Sequence, residues 1–136
     1  LKEEGAKRVM PLLVGGAFHS PLMNPAAEAF ADYLSDFGFE NARIPVVTNV
    51  DAKPTTDAAE IQDKLGKQID SSVRWTQTMT RMIGEHGIDT VVEIGPGKVL
   101  TGMFKKMFPD VQLYNVLDLA SIEEVSAQLN ASLASV

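Results

Sequence analysis

The segment "GGAFHSP", residues 15–21, places a histidine directly after a glycine pair. His19 is one of two histidines in a chain of 136 residues. A histidine in this setting serves as a general base, as a metal ligand or as a hydrogen-bonded turn residue. A metal site is the weakest of the three, because the other histidine is His86 and no cluster of ligands has metal-site spacing. The residues alone leave proton transfer and a turn role open.

A general base needs a nucleophile to act on, and no recognisable one is found in this sequence. The chain contains no cysteine. Ser20 is the direct neighbour of His19, and adjacent side chains generally diverge. No other serine has the Gly-x-Ser-x-Gly surroundings that hold a serine on a sharp turn between a strand and a helix. If His19 is a base, we therefore expect its nucleophile to come from another stretch of polypeptide.

The segment "EIGPGKVLTG", residues 93–102, places glycines between a predicted strand and a predicted helix. Phosphate-binding loops have that setting. The glycine spacing, however, matches neither the dinucleotide-binding pattern nor the Walker pattern, and Pro96 lacks the amide N–H that a phosphate would need. We therefore interpret Gly95 and Gly97 as a tight turn, which can shape a pocket if it lies at the same sheet edge as His19.

Composition limits the classes of function that this chain can have. The net charge of −6 argues against the basic surface that a broad nucleic-acid contact requires. No apolar run approaches the roughly 20 residues that span a bilayer. With 45% hydrophobic and 22% charged residues, the chain can bury a core. We expect a globular protein that binds neither nucleic acid nor membrane.

Hydrophobic periodicity predicts strands that alternate with helices, and these elements must position the candidate residues. The predicted strands comprise residues 9–14, 44–50, 90–94 and 111–117. Predicted helices follow caps at Asn24, Asp57, residues 70–72 and Ser121, and one more comprises residues 99–108. The first three of these helices are expected to end at Gly38, near Ile69, and at Gly87, with His86 in the last turn of the third. Such alternation is typical of an α/β fold with a mostly parallel sheet.

Four ordered segments resemble one known family. They are "GAFHSPLM" (16–23), "VVTNVDAKP" (46–54), "KQIDSSVRWTQTM" (67–79) and "VEIGPGKVLTGMFKK" (92–106). Together they resemble the C-terminal portion of bacterial malonyl-CoA:acyl carrier protein transacylases, from about Lys7 through the last predicted helix. Related acyltransferase domains also occur inside polyketide and fatty acid synthases.

The resemblance implies a more specific fold than the alternation of elements does. It implies that residues 17–136 form the C-terminal part of a large, α/β-hydrolase-like acyltransferase subdomain with a mostly parallel sheet. Residues 1–16 would then be the end of a small ferredoxin-like subdomain, including its last strand. The family's elbow serine, its oxyanion-hole donors and its malonate-binding arginine do not map onto this chain. The resemblance therefore implies a missing N-terminal half.

The resemblance also implies a ping-pong acyl transfer in fatty acid synthesis. A serine in a Gly-His-Ser-x-Gly motif attacks malonyl-CoA, and the phosphopantetheine thiol carried by acyl carrier protein then takes the malonyl group. The family's catalytic histidine matches His19, and the glutamine whose carbonyl orients it matches Gln68. Phe18 before the histidine favours malonyl over methylmalonyl, and Asn49, Gly95 and Gly97 are expected pocket residues. No cofactor and no metal are implied beyond these substrates.

The expected partners are acyl carrier protein, malonyl-CoA and the missing N-terminal half, in the cytoplasm. Because the nucleophile does not map here, we expect this chain to be inactive by itself. Carrier proteins are usually acidic, so basic contacts would be local, for example at Lys98, Lys105 and Lys106. Two alternatives remain open. One is an acyltransferase domain excised from a larger synthase, and the other is a non-catalytic interaction module on the same scaffold.

Overall fold

The computed structural model describes residues 3–7, 9 and 15–133. It divides after Trp75 into two compact units, which are described separately below. The predicted strand at residues 9–14 lies outside the described residues except for Val9, and with it the proposed end of a ferredoxin-like subdomain. The expected boundary between residues 16 and 17 therefore stays a prediction.

The first unit begins, after the glycine pair, with a short 3₁₀ turn at Pro21–Met23 and helix α1 at Asn24–Ser35. The predicted cap at Asn24 is wrong, because Asn24 already has helical dihedral angles and its N–H donates to the carbonyl of Pro21. The predicted end at Gly38 is also wrong. The helix closes three residues earlier, where the N–H of Asp36 donates to the carbonyl of Tyr33 at 3.3 Å.

The predicted strand at residues 44–50 is much shorter in the structure. Strand β1 is Val46–Val47 and pairs antiparallel with β2, Pro54–Thr55. Between them the chain turns back through Ala52, which is fully buried and has a left-handed φ of 57°. The N–H of Lys53 donates to Oδ1 of Asp51 at 3.1 Å and closes this turn. Residues 49–51 therefore form a turn and do not extend β1.

Helix α2, Ala58–Lys67, begins as the sequence predicts. Oδ1 of Asp57 accepts the N–H of Glu60 at 2.8 Å, so the predicted cap is confirmed. Lys64 is buried within this helix, and its Nζ lies 3.0 Å from Asp51 and 2.6 Å from Glu60. Burial by itself would lower the pKa of Lys64, but hydrogen bonds to the two carboxylates outweigh burial and raise that pKa. The charged lysine thus ties the turn at Asp51 to α2.

The second unit contains two parallel strands and the helices that follow them. Helix α3, Trp75–Gly84, leads into this unit from the first. Strand β3, Thr90–Ile94, pairs in parallel with β4, Gln112–Val116, and helix α4, Val99–Met107, connects them. Helix α5, Leu119–Leu133, follows β4. The predicted α/β class is confirmed, and β3 and α4 lie at or within one residue of their predicted bounds.

Three helix ends in this region differ from prediction. No residue in 70–72 caps α3, since the helix begins only at Trp75 and Ser71 Oγ bonds to Asp70 instead. His86 follows α3 and does not lie in its last turn, because the chain already turns toward Gly87, whose φ is 63°. Ser121 lies inside α5, and its N–H donates to Oδ1 of Asp118 at 2.9 Å.

None of the helices in the described part of the chain has the length and apolar character that crossing a bilayer requires.

Candidate active site

His19 has a backbone conformation that few residues other than glycine adopt. Its φ is 64°, in the left-handed region, and its main-chain N–H donates to the carbonyl of Ile69 at 2.8 Å. Non-glycine residues in this region are uncommon and cluster at functional sites, where the surrounding structure stabilises them. The contact with Ile69 is one such stabilising interaction.

The imidazole of His19 is held by the same segment of chain. Its Nδ1 lies 2.9 Å from the main-chain carbonyl of Gln68 and 3.2 Å from that of Ser71. A carbonyl oxygen only accepts hydrogen bonds, so Nδ1 must carry the proton of the neutral ring. The second ring nitrogen, Nε2, then presents a lone pair that can accept a proton. The side chain itself is solvent-exposed.

These carbonyls belong to the chain that follows the C-terminal end of α2. The last carbonyls of a helix have no partner within it. His19 donates to the carbonyl of Gln68, the C-cap residue of α2, and to that of Ile69, the next residue. The chain at the end of α2 therefore orients the ring of His19.

The structure brings three of the predicted site residues together in the first unit. Gln68 meets His19 through its main-chain carbonyl, whereas its side-chain Oε1 accepts the N–H of Asn49 at 3.1 Å. Asn49 is thus bonded to a residue that itself bonds to His19. Sequence reasoning missed Ser71, because a main-chain contact leaves no signal in the residue type.

Phe18, the predicted selectivity residue, is adjacent to His19 and has an exposed fraction of 61%. Its ring lies over Gly16. A Cβ atom added at Gly16 would lie 3.0 Å from Cε2 and 3.2 Å from Cδ2 of that ring. Gly16 therefore allows the ring of Phe18 to take its observed position.

Gly95 and Gly97 form the predicted turn of the second unit, with φ values of 131° and 102°. The helix that follows is capped by Glu93. The Glu93 carboxylate accepts the N–H of Leu100 at 3.1 Å and that of Thr101 at 2.7 Å. A bound phosphate would need these same amides, so their use by Glu93 agrees with the interpretation of a structural turn. In the sequence, Glu93 could have been noticed as the one charged residue of β3.

Glu93 should make the stability of the second unit pH-dependent. Hydrogen bonds from the hydroxyl and N–H of Thr101, followed by those from Leu100 and Asn115, lower its pKa below the ordinary value of 4.5. Because the folded pKa is lowered, the stabilisation is fully present above about pH 4.5 and is lost as the pH falls below it. We expect Glu93→Gln to lower the melting temperature at neutral pH and to approach the parent as the solution is acidified.

Thermal unfolding of Glu93→Gln and of the parent, measured between neutral pH and about pH 3, checks this prediction. Glu124→Gln is the matched control, since Glu124 is an exposed glutamate on α5 whose carboxylate accepts from Gln128. A difference in melting temperature between Glu93→Gln and the parent that stays constant with pH would contradict the assignment.

Comparison with known proteins gives the following relationships. No family model matches the chain. The malonyl CoA-acyl carrier protein transacylase of Bacillus subtilis is 44% identical over 122 residues, which are 90% of this chain and 38% of the relative. The transacylase of the same name from Synechocystis is 42% identical over 120 residues, 88% of this chain and 41% of the relative. The chain thus spans about two fifths of the length of the curated relatives that it matches.

Solved structures give the same relationship. The crystal structure of the Synechocystis malonyl-CoA:ACP transacylase has a TM-score of 0.80 at 42% identity, over 88% of this chain and 40% of that one. An acyl carrier protein S-malonyltransferase from Vibrio cholerae has a TM-score of 0.82 at 42% identity, over 91% and 40%. A malonyl-transacylase in complex with a type II polyketide synthase acyl carrier protein has a TM-score of 0.79 at 42% identity, over 88% and 38%. The resemblance seen in the sequence and the expected acyltransferase fold class are confirmed.

Proposed function

Because this chain is homologous, over nine-tenths of its length, to part of the malonyl CoA-acyl carrier protein transacylases, we propose that it supplies the general base of such an enzyme. The enzyme would transfer a malonyl group from coenzyme A to the phosphopantetheine thiol of an acyl carrier protein. One observation carries the proposal: Nδ1 of His19 faces two carbonyl oxygens, which leaves Nε2 as the proton acceptor.

The proposed reaction uses His19 twice in each half. Nε2 of His19 takes the proton from a serine hydroxyl as the serine oxygen bonds to the thioester carbon. The carbon–sulfur bond then breaks, and the imidazolium returns the proton to the departing thiolate of coenzyme A. In the second half, His19 takes the proton of the phosphopantetheine thiol as its sulfur bonds to the malonyl carbonyl carbon. The ester bond between that carbon and the serine oxygen then breaks, and His19 returns the proton to the serine oxygen. Malonyl-CoA and holo acyl carrier protein are the only co-reactants.

A carboxylate partner for the histidine is not required by this chemistry. In the Ser-His-Asp triad the aspartate holds the tautomer and stabilises the imidazolium. Here the carbonyls of Gln68 and Ser71 would hold the tautomer. A thiol is also a better leaving group than an amine, so the reaction needs less help from the histidine in protonating the leaving group. We therefore assign the orienting role to the main-chain carbonyls just after α2.

We also propose that the remainder of a transacylase covers the apolar end of the second unit. Four large apolar side chains there are strongly exposed: Ile94 at 80%, Leu119 at 78%, Val99 at 65% and Leu117 at 64%. They lie where β3 and β4 end and where α4 and α5 begin. Isolated soluble proteins rarely leave apolar groups clustered in this way, and such groups mark interaction sites. The nucleophile, the oxyanion donors and the malonate-binding group would come from the same remainder.

Phe18 is our proposed selectivity residue for malonyl over methylmalonyl. In a complete enzyme, Phe18→Ser should raise the ratio of kcat/KM for methylmalonyl-CoA to kcat/KM for malonyl-CoA. We expect an increase of about 10- to 200-fold, because a pocket discriminates by that factor between substrates that differ by one methyl group. Gly16→Ala should raise the same ratio less, because its Cβ would displace the Phe18 ring without removing it.

Phe37→Ser serves as the control for Phe18→Ser, since Phe37 is another exposed aromatic residue, 18 positions after His19 and beyond the end of α1. Competition between the two acyl-CoA substrates measures the ratio directly. An unchanged ratio in Phe18→Ser would contradict the proposal that Phe18 lines the substrate pocket.

The deciding test of the proposed function is malonyl transfer by a complete enzyme with and without His19. Loss of transfer on His19→Asn supports a catalytic role, whereas unchanged transfer would favour a non-catalytic interaction module on the same scaffold. The cytoplasmic location expected from the sequence remains part of the proposal.

A further inference from the structure

The connector between α2 and α3 is attached at both ends to the same short stretch of chain. The connector comprises residues 68–74, and the stretch is Asn49–Val50. At the start, Oε1 of Gln68 accepts the N–H of Asn49 at 3.1 Å. At the end, the N–H of Arg74 donates to the carbonyl of Asn49 at 3.0 Å, and Nε of Arg74 donates to the carbonyl of Val50 at 2.9 Å. The connector is thereby closed into a loop.

The stretch that receives these bonds is itself anchored. Thr48 before it and Ala52 after it are buried. Asp51, which follows Val50 directly, pairs with the buried Lys64 of α2 at 3.0 Å. Both ends of the connector are therefore bonded to the stretch Asn49–Val50, which buried neighbours and the Asp51–Lys64 ion pair hold in place.

The connector contains the carbonyl oxygens of Gln68 and Ser71 that accept from His19. We propose that the Arg74 guanidinium and the Gln68 side-chain amide are positioning residues for His19. Their described hydrogen bonds go to Asn49 and Val50 and not to the imidazole. Together they form a clamp, which acts by holding these two carbonyls against Nδ1. If the clamp loosens, the proton of the neutral ring can move to Nε2. That tautomer cannot accept a proton at Nε2. The importance of this effect for catalysis rests on the proposed function, but the effect on the tautomer does not.

The experiment measures the tautomer of His19 in this chain by long-range ¹H–¹⁵N correlation NMR of the imidazole nitrogens at a pH where the ring is neutral. We expect the parent chain to carry its proton on Nδ1. In Arg74→Met, the ratio of the Nδ1–H to the Nε2–H tautomer should fall by roughly 2- to 10-fold, the effect of weakening one neutral hydrogen bond. His86, the other histidine of the chain, should show no change and acts as the internal control.

Two further variants make the result specific. Gln68→Met removes the other end of the clamp and keeps the main-chain carbonyl of residue 68, so it should shift the His19 tautomer in the same direction. Arg81→Met is the matched control, because Nε of Arg81 donates to Glu85, the residue just after α3. Amide ¹H–¹⁵N spectra report whether each variant is folded. If Arg74→Met does not fold, Gln68→Met decides the question.

A folded Arg74→Met or Gln68→Met protein with the parental tautomer of His19 would overturn the inference. A shift of equal size in Arg81→Met would also overturn it, since the effect would then be general to arginine loss. Failure of the proposed function would look different: His19 would change its tautomer in the clamp variants while a complete enzyme carrying His19→Asn kept its full kcat.

Discussion

Replacing His19 by asparagine should lower kcat for malonyl transfer by about 10²- to 10⁴-fold, the contribution of a general acid–base group. The enzyme for this test joins the unmatched part of the Bacillus subtilis relative to the front of this chain. Asparagine cannot take a proton from the serine, but it tolerates a left-handed φ, which His19 has at 64°. The substitution therefore removes the chemistry and keeps the backbone. Initial rates of malonyl transfer from coenzyme A to holo acyl carrier protein measure the effect.

The control for this substitution is His86→Gln. His86 lies in the exposed turn after α3, and its described hydrogen bond, to Arg81, is made by its main-chain N–H. Its loss should leave kcat within about twofold of the parent, as expected for a surface change. Full activity in His19→Asn would refute the role of His19 as base, and an equal loss in both variants would point to a general effect of histidine removal.

This chain alone should transfer malonyl groups at no more than the background rate, about 10⁶-fold below the complete enzyme. The nucleophile, the base and the oxyanion donors act as a unit, so a base without its nucleophile retains little of the rate. Adding the unmatched three fifths of the Bacillus subtilis relative as a separate polypeptide should restore transfer. Activity measured against the concentration of that second polypeptide should rise and then saturate.

Two variants of this chain make the complementation specific. Ile94→Asp places a charge on the exposed apolar end of the second unit and should weaken assembly, so that more of the second polypeptide is needed for half-maximal activity. His19→Asn should assemble normally and remain inactive. Steady turnover by the unsupplemented chain would mean that it contains its own nucleophile.

The first unit shows which parts of a site are visible in a sequence. The prediction placed His19 and Gln68 in one site through family resemblance, and the structure brings Nδ1 of His19 to 2.9 Å from the Gln68 carbonyl. Their catalytic roles stay proposals. The residues that support them were not predicted, because Ser71 and Arg74 act through main-chain atoms or on main-chain carbonyls. Every residue type carries such atoms, so no pattern of side chains reveals them.

The sequence by itself determined the elements whose signals are local. The β-branched run of β3, Thr90–Ile94, and the cap of α2 at Asp57 appear in the structure as predicted. A strand of this kind and a side chain that caps the helix three residues ahead need only their own neighbours.

Tertiary structure alone decided the features that need distant partners. Strand β1 is cut to Val46–Val47 because the turn at Ala52 is buried and Asp51 pairs with Lys64 of α2. His19 holds a left-handed backbone because main-chain carbonyls just after α2 accept hydrogen bonds from both its N–H and its ring. In each case the local preference is weaker than the contacts made by residues far along the chain, and those contacts exist only once the chain has folded.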